Sequence, residues 1–269
     1  MNHWQWREAS GIPYLACDLL DPWMHGFFTR SSWPAKPEAI VDLVWPEHLT
    51  FRTKQVHGNC ILWAEEMVPV LLNAGDELQE ADGVMAESNH SSTMDSPGMS
   101  LWVATADCTP VLMGDVRTGR VGALHAGWRG TAAKITIEAV KAWHDRGSQV
   151  ADLRIAMGPA ISGGVYQVDL DVAIQVCQTI APDLSLSPET LWETIKNGVE
   201  TSEPLLFPDT EPGKVRLDVR QVNALQLTQW GLKPDQITIA PHCTYTESDR
   251  FFSYRRTGEK QVQWSGICN

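Results

Sequence analysis

Three residues carry side chains that together could bind one metal ion: His57 in KQVHG, Cys108 in TADCTP and His125 in ALHAGWRG. Each ends or follows an apolar run and stands beside Gly, Asp or Thr. Two imidazoles and one thiolate suit zinc or copper, and three protein ligands leave a fourth position open for water, as in catalytic zinc sites. Zinc would lower the pKa of that water to about 7 and provide a nucleophile or a Lewis acid.

The residue types alone leave other interpretations open. A fourth ligand from His242 or Cys243 would close the site and make the metal structural. Cys108 as nucleophile with His125 as base would instead make a cysteine hydrolase. A buried cysteine or a histidine after a strand is also a common core residue. The zinc deaminase signature H-x-E with P-C-x-x-C is absent from the chain.

Four further residues near these motifs could contact a substrate or assist catalysis. Arg129 in GWRG is a candidate clamp for phosphate or carboxylate. Asp107 in TADC could orient a ligand or act as a base. Tyr254 and Arg255, in the C-terminal stretch HCTYTESDRFFSYRR, suit a substrate wall. The glycines of GWRG and GPAISGG permit close approach of the backbone to a ligand.

The elements that must position these residues are strands and helices in alternation. The runs LWVATADC and VGALHAG predict two strands joined through the polar turn DVRTGR, a hairpin-like unit with Cys108 and His125 at its ends. Strands are also predicted over LRIAMGP and QITIAPHCTY. Helical spacing is found in TAAKITIEAVKAWHDRG, VDLDVAIQVCQTIAP and VRLDVRQVNALQLTQWG. Residues 183–213 are expected to be mainly loop, and NHSSTMDSPG a mobile loop. The pattern indicates α+β or α/β, with sheets covered by helices.

Charge and composition restrict the classes of partner. The chain of 269 residues has a formal net charge of -12, which argues against nucleic-acid binding through a broad basic surface. No apolar run approaches the roughly 20 residues that cross a bilayer. The N-terminus lacks the basic start and apolar core of a secretory signal. The six cysteines include no CxxC pair, which favours free thiols or ligands in a reducing compartment. We therefore expect a cytoplasmic protein without membrane contact.

Seven motifs together resemble, in order, those of the YfiH-like family, long labelled multicopper polyphenol oxidase or laccase-domain proteins. They are KQVHG, ADGVMA, TADCTPVLMGD, ALHAGWRGTAAKI, MGPAIS, YQVDLDV and CTYTESDRFFSYRR. The resemblance covers nearly all of the chain. It implies an α+β fold, a single four-layer α/β/β/α domain with mixed sheets, over residues 1–269.

The resemblance also implies an activity and a site. The activity is zinc-dependent purine nucleoside phosphorolysis of adenosine, inosine, guanosine and methylthioadenosine, with adenosine deamination alongside. His57, Cys108 and His125 would be both metal ligands and catalytic residues, with Asp107 assisting, and Arg129, Tyr254 and Arg255 would bind substrate. The partners are then a nucleoside and phosphate, and we expect a monomer or a weak homodimer. The chain departs from the family pattern in SSWPAKP after FFTR and in the residues after GPAI, where substrate walls are expected.

The older family name implies a copper-dependent polyphenol oxidase instead. A laccase combines a blue-copper site with a three-copper cluster, which needs more histidines than the eight in this chain. One copper ion in the same three-ligand site remains an alternative, because copper outcompetes zinc for nitrogen and sulfur ligands.

Overall fold

The structure is a computed structural model that describes residues 3–71, 77–88, 97–181, 185, 187, 189–199 and 203–269. The segment NHSSTMDSPG, predicted to be a mobile loop, lies outside the described residues except for its last two. No helix within the described ranges is long and apolar enough to cross a membrane.

Two six-stranded mixed sheets form the centre of the fold. The first has the order β1 (Trp4–Ala9), β2 (Ile12–Cys17), β3 (His25–Phe28), β15 (Gln263–Cys268), β7 (Gly98–Thr105) and β4 (His48–Phe51). The second has the order β14 (Ile237–Ile239), β10 (Leu153–Met157), β8 (Thr109–Asp115), β9 (Val121–Ala126), β6 (Gly83–Ala86) and β5 (Ile61–Trp63). The pairs β4–β7, β10–β14 and β5–β6 are parallel, and the other neighbours are antiparallel.

The two sheets pack face to face, and helices cover their outer faces. Between the sheets, Phe27 and Leu101 of the first sheet share one apolar cluster with Leu112 and Ala123 of the second. Helix α1 (Pro37–Val44) covers the first sheet, and α3 (Ile135–Asp145) with α6 (Val219–Trp230) covers the second. Burial of apolar side chains in all three interfaces stabilises this arrangement. The expected α+β fold with four α/β/β/α layers and mixed sheets is confirmed.

A third, antiparallel sheet was not predicted. It has the order β11 (Gln167–Asp169), β13 (Lys214–Leu217) and β12 (Leu206–Pro208). Its apolar residues pack with those of α4 (Leu170–Cys177), α5 (Leu191–Gly198) and α6. The helices α2 (Trp128–Ala132) and α7 (Tyr254–Thr257) complete the set. The expectation that residues 183–213 are mainly loop is therefore wrong where α5 and β12 form.

Several predicted elements are shorter than expected or are divided in two. The run LWVATADC ends as β7 at Thr105, so the hairpin around DVRTGR joins β8 to β9 rather than β7 to β9. The first predicted helix is split into α2 and α3 at Lys134, whose φ is 59°. The third begins only at Val219, because Asp218 caps it by accepting hydrogen bonds from the N–H groups of Arg220 and Gln221. The run QITIAPHCTY is a strand only over β14.

The close contact of Gly158 with Phe27 gives a first prediction. Gly158 follows β10, and a Cβ atom added there would collide with the Phe27 ring of β3. We expect Gly158→Ala to lower the free energy of unfolding by about 1–3 kcal/mol, because the added methyl overpacks the interface between the sheets. Urea denaturation measures this. Gly164→Ala is the matched control, since a Cβ there meets no atom within 4 Å. Equal stability of the two variants would contradict the prediction.

Candidate metal centre and substrate cleft

The buried carboxylate of Asp82 positions both histidines of the predicted metal site. Asp82 directly precedes β6 and is 0% exposed. Its Oδ1 accepts hydrogen bonds from the N–H of His57 and from Nδ1 of His125, both at 2.9 Å. Its Oδ2 accepts from the N–H groups of Val56 at 3.2 Å and Gly58 at 2.6 Å. One carboxylate thus fixes the loop that carries His57 and the ring of His125 in β9.

Cys108 lies in the turn where the chain passes from the first sheet to the second. The preceding Asp107 has a φ of 92°, which is uncommon for a residue with a side chain. Its Oδ1 accepts a 2.7 Å hydrogen bond from the Thr244 hydroxyl, and its Oδ2 accepts one of 2.7 Å from the N–H of Arg255. Asp107 was predicted to orient a ligand or act as a base. In the structure both of its carboxylate oxygens accept hydrogen bonds that stabilise this turn, and Cys108 lies in the turn.

The three residues meet at one point. The ligand atoms of His57, Cys108 and His125 all lie within 4.8 Å of one another, and the two imidazole rings are 4.8 Å apart at 83°. Within the described ranges no fourth histidine, cysteine or carboxylate belongs to the group. A Cβ at Gly127 would lie 2.9 Å from Cys108 Sγ, so glycine is required for this approach.

The donor set fits a zinc or copper ion. Two nitrogens and one sulfur are ligands that both metals accept. Because Nδ1 of His125 is hydrogen-bonded to Asp82, Nε2 of His125 is left for the metal. Histidine ligands of metals usually have such a carboxylate hydrogen-bonded to their other ring nitrogen. Among the described residues the geometry therefore supports a three-ligand group with a position left open.

The predicted fourth ligands are engaged elsewhere. His242 Nδ1 is 2.9 Å from Glu247 Oε2, and its ring packs on Trp6. Cys243 Sγ accepts hydrogen bonds from the N–H and the hydroxyl of Ser162. Both residues line a separate cleft beyond the GPAISGG turn. Neither joins the group of three.

The thiol and the imidazole of the metal-free site have strongly shifted pKa values. Burial raises the pKa of the Cys108 thiol, but hydrogen bonds and charges from His125 and His57 outweigh it and bring the pKa down to about 6. Burial lowers the pKa of His125, but the carboxylate of Asp82 and the thiolate of Cys108 raise it to about 9. Near neutral pH the two residues therefore form a thiolate–imidazolium pair.

This pair predicts the reactivity of the metal-free protein. The thiolate fraction of Cys108 rises with pH through about 6, so we expect its alkylation by iodoacetamide to increase from pH 5 to 7 and then level off. Peptide mapping by mass spectrometry separates it from Cys60, which is exposed. Added zinc is expected to protect Cys108 and not Cys60. Equal alkylation of Cys108 with and without zinc would contradict this assignment of the ligand.

A cleft opens directly beside Cys108. Its walls include Gly127, Trp128, Tyr166 and Val219. Trp128 begins α2, Tyr166 directly precedes β11, and Val219 begins α6. The third sheet thus supports one wall, because β11 and its neighbour β13 hold Tyr166 and lead into α6.

Of the predicted substrate residues, two arginines stack on the aromatic walls of this cleft. The Arg129 guanidinium lies 4.3 Å from the Trp128 ring, and that of Arg255 lies 4.9 Å from the Tyr166 ring. Nη1 of Arg255 also donates a 2.6 Å hydrogen bond to the carbonyl of Gln167. Tyr254 is 55% exposed, and neither it nor the two arginines are among the residues that line the cleft. The neighbouring Arg256 donates to three backbone carbonyls and serves the local fold.

Two residues of the site were not singled out from the sequence. Asp82 was present only within the motif ADGVMA, although a histidine ligand usually has a carboxylate or carbonyl behind it. Tyr166 was present only within YQVDLDV. Nothing in its local sequence signals the cleft, because the wall forms through the unpredicted third sheet.

Comparison with known proteins identifies relatives across the whole chain. The family model described as multi-copper polyphenol oxidoreductase laccase matches residues 39–268. A Synechocystis protein named purine nucleoside phosphorylase slr1573 is 46% identical over 99% of this chain and 97% of its own length. Adenosine deaminase RL5, from an unknown prokaryotic organism, is 29% identical over 60% of this chain and 54% of its own.

The solved structure of YlmD from Geobacillus stearothermophilus has the same fold, with a TM-score of 0.74 at 24% identity, covering 100% of this chain and 99% of that one. The Bacillus licheniformis protein YfiH superposes with a TM-score of 0.71, also at 24% identity, covering 97% and 98%. The resemblance inferred from the seven motifs is confirmed. With its family match, its fold and its Synechocystis relative in agreement, the chain belongs to the multi-copper polyphenol oxidoreductase laccase family, which includes the YfiH-like proteins.

Proposed function

We propose that this chain is a zinc-dependent purine nucleoside phosphorylase that also deaminates adenosine. The observation that carries the phosphorylase part of the proposal is the Synechocystis relative named purine nucleoside phosphorylase, which is 46% identical over 99% of the chain. The name of RL5 supports the second activity. The three-ligand group beside an aromatic cleft supports metal dependence and a small aromatic substrate.

The proposed zinc would be held by His57, Cys108 and His125. When bound it would supply a Lewis acid and lower the pKa of a water molecule in the open position. Asp82 keeps the His125 ring in the tautomer that leaves Nε2 free, and Asp107 holds the turn of Cys108 through Thr244 and Arg255. These contacts preorganise the site before substrate enters.

Phosphorolysis requires that the cleft hold a purine and an anion side by side. A phosphate oxygen attacks C1′ of the ribose, the bond from C1′ to N9 breaks, and its electron pair leaves with the purine, which takes up a proton. Trp128 lines the cleft and would offer an aromatic contact for the base. Arg129 and Arg255 flank the cleft and would bind phosphate. The exposed Tyr254 would contact the substrate only at the rim.

Deamination exchanges the C6 amino group of adenosine for the oxygen of water and releases ammonia. It uses the same base-binding walls and no phosphate. Only phosphorolysis would require the arginines to bind phosphate. A substitution near the anion should therefore affect phosphorolysis alone, whereas one near the base should affect both reactions.

The proposal extends to the organisation and setting of the chain. We propose one catalytic domain over residues 1–269, since the site draws residues from the β4–β5 loop to α7. The free cysteines fit a reducing compartment such as the cytoplasm. A monomer or weak homodimer stays a prediction.

A cysteine hydrolase is the second candidate, and one observation favours it. Asp82, His125 and Cys108 follow one another as carboxylate, imidazole and thiol, the arrangement of a nucleophilic triad. A hydrolase of this kind would work without metal, whereas the proposed phosphorylase would not. Copper in the same three-ligand group would bring oxidase chemistry. Assays of the protein loaded with zinc or with copper distinguish that alternative from the phosphorylase.

Product analysis tests the proposed function. The zinc-loaded protein is incubated with inosine, adenosine, guanosine or methylthioadenosine, with and without phosphate. We expect free base and ribose 1-phosphate (or its methylthio analogue) only when phosphate is present, and inosine from adenosine in its absence. Turnover of none of these nucleosides would refute the proposal.

A further inference from the structure

One polar group of the cleft has no partner. The Tyr166 side chain is half-buried in the wall beside Cys108. Among the described residues no group forms a hydrogen bond with its hydroxyl. The backbone of Tyr166 is held on both sides, because its N–H donates to Ser162 at 3.1 Å and its carbonyl accepts from Leu217 at 3.1 Å. The backbone that carries the phenol is therefore held in place, and the hydroxyl is available to a ligand.

Charged groups of both signs act on this hydroxyl. The guanidinium of Arg255 stacks on the Tyr166 ring, and the charges of Arg255 and Arg129 act on the phenol in opposition to those of Cys108 and Asp107. Burial and the charge of Cys108 raise the pKa of Tyr166 to about 12. At neutral pH the group is thus an O–H donor. A donor beside the Arg255 guanidinium, with Arg129 on the neighbouring Trp128 ring, matches a ligand with several acceptor oxygens and negative charge.

We propose that the hydroxyl of Tyr166 donates a hydrogen bond to the attacking phosphate, completing a phosphate subsite with Arg129 and Arg255. This inference rests on the proposed function and names a residue that determines the use of phosphate as co-substrate. An inorganic phosphate ion would accept from two guanidiniums and one phenol. Trp128 and Val219 remain for the base, since neither offers a charged group.

Removal of the Tyr166 hydroxyl oxygen should impair phosphorolysis and leave deamination unchanged. In Tyr166→Phe we expect the KM for phosphate in inosine phosphorolysis to rise about 10- to 100-fold, the loss expected for a hydrogen bond to a charged ligand. The KM for inosine and the deamination of adenosine without phosphate are expected to stay within about twofold of the unmodified chain, since neither uses the subsite.

The experiment compares the zinc-loaded unmodified chain with Tyr166→Phe and Tyr14→Phe. Tyr14 lies on β2 and packs on Phe28, outside the cleft, so its variant loses the same atom without touching the subsite. Calorimetric titration with inorganic phosphate provides a readout independent of turnover. We expect weaker phosphate binding in Tyr166→Phe alone.

Two results would overturn the inference separately from the proposed function. An unchanged KM for phosphate in Tyr166→Phe would remove the hydroxyl from the subsite. An equal loss of phosphorolysis and deamination would instead assign Tyr166 to the base or to the fold. Absence of phosphate-dependent turnover in the unmodified chain would refute the proposed function itself, and this inference with it.

Discussion

Cys108→Ala is expected to abolish stoichiometric zinc binding and to lower kcat/KM for inosine phosphorolysis by at least about 100-fold. The reason is geometric, since Cys108 supplies the one sulfur among three ligand atoms that lie within 4.8 Å of one another. Two imidazoles alone hold zinc weakly. Elemental analysis of the dialysed protein measures the zinc, and initial rates measure the activity.

Cys60→Ala is the control for this variant. Cys60 is exposed and lies three residues beyond His57, outside the group of ligands. It is expected to keep one zinc per chain and full activity. If Cys108→Ala bound zinc and turned over inosine as the control does, the thiolate could not be a ligand.

Asp82→Asn is expected to weaken the site without removing a ligand. The carboxylate accepts four hydrogen bonds, three from the backbone around His57 and one from His125. An amide has one acceptor oxygen, and its NH₂ would face donors. We expect zinc affinity to fall about 10- to 100-fold, as for other carboxylates that support a histidine ligand. We also expect the free energy of unfolding to fall by about 1–3 kcal/mol, because buried donors lose their acceptor.

Asp115→Asn separates the two effects of Asp82→Asn. Asp115 is equally buried but accepts from the N–H groups of Arg117 and Thr118 in the β8–β9 turn, away from the metal group. Its substitution is expected to lower stability and leave zinc affinity unchanged. Competition with a chelator measures zinc affinity, and urea denaturation measures stability. Equal zinc affinity in the two variants would contradict the role given to Asp82.

The sequence was informative where a residue type carries its own chemistry. His57, Cys108 and His125 are far apart in the chain, yet their side chains and motifs predicted a common site, and the structure brings them together. The four layers followed from the family resemblance, and the alternation of strands and helices indicated only sheets covered by helices. The hairpin turn DVRTGR was also predicted, because polar residues and glycine interrupt two apolar runs.

What the sequence did not predict depends on tertiary contacts. The chain passes from the first sheet to the second between Leu101 and Met113. This passage uses the positive φ of Asp107 and its hydrogen bonds to Thr244 and Arg255. The third sheet consists of strands of three or four residues, too short for a periodic signal. Tyr166 and the cleft wall depend on that sheet, so their role was visible only in the fold.

The central claim is that one zinc ion at His57, Cys108 and His125 is required for phosphorolysis. Its most direct test is titration of zinc into the metal-free protein while the phosphate-dependent release of hypoxanthine from inosine is followed. We expect no turnover without metal and a linear rise in rate that ends at one zinc per chain. Full activity of the metal-free protein in the presence of a chelator would contradict it.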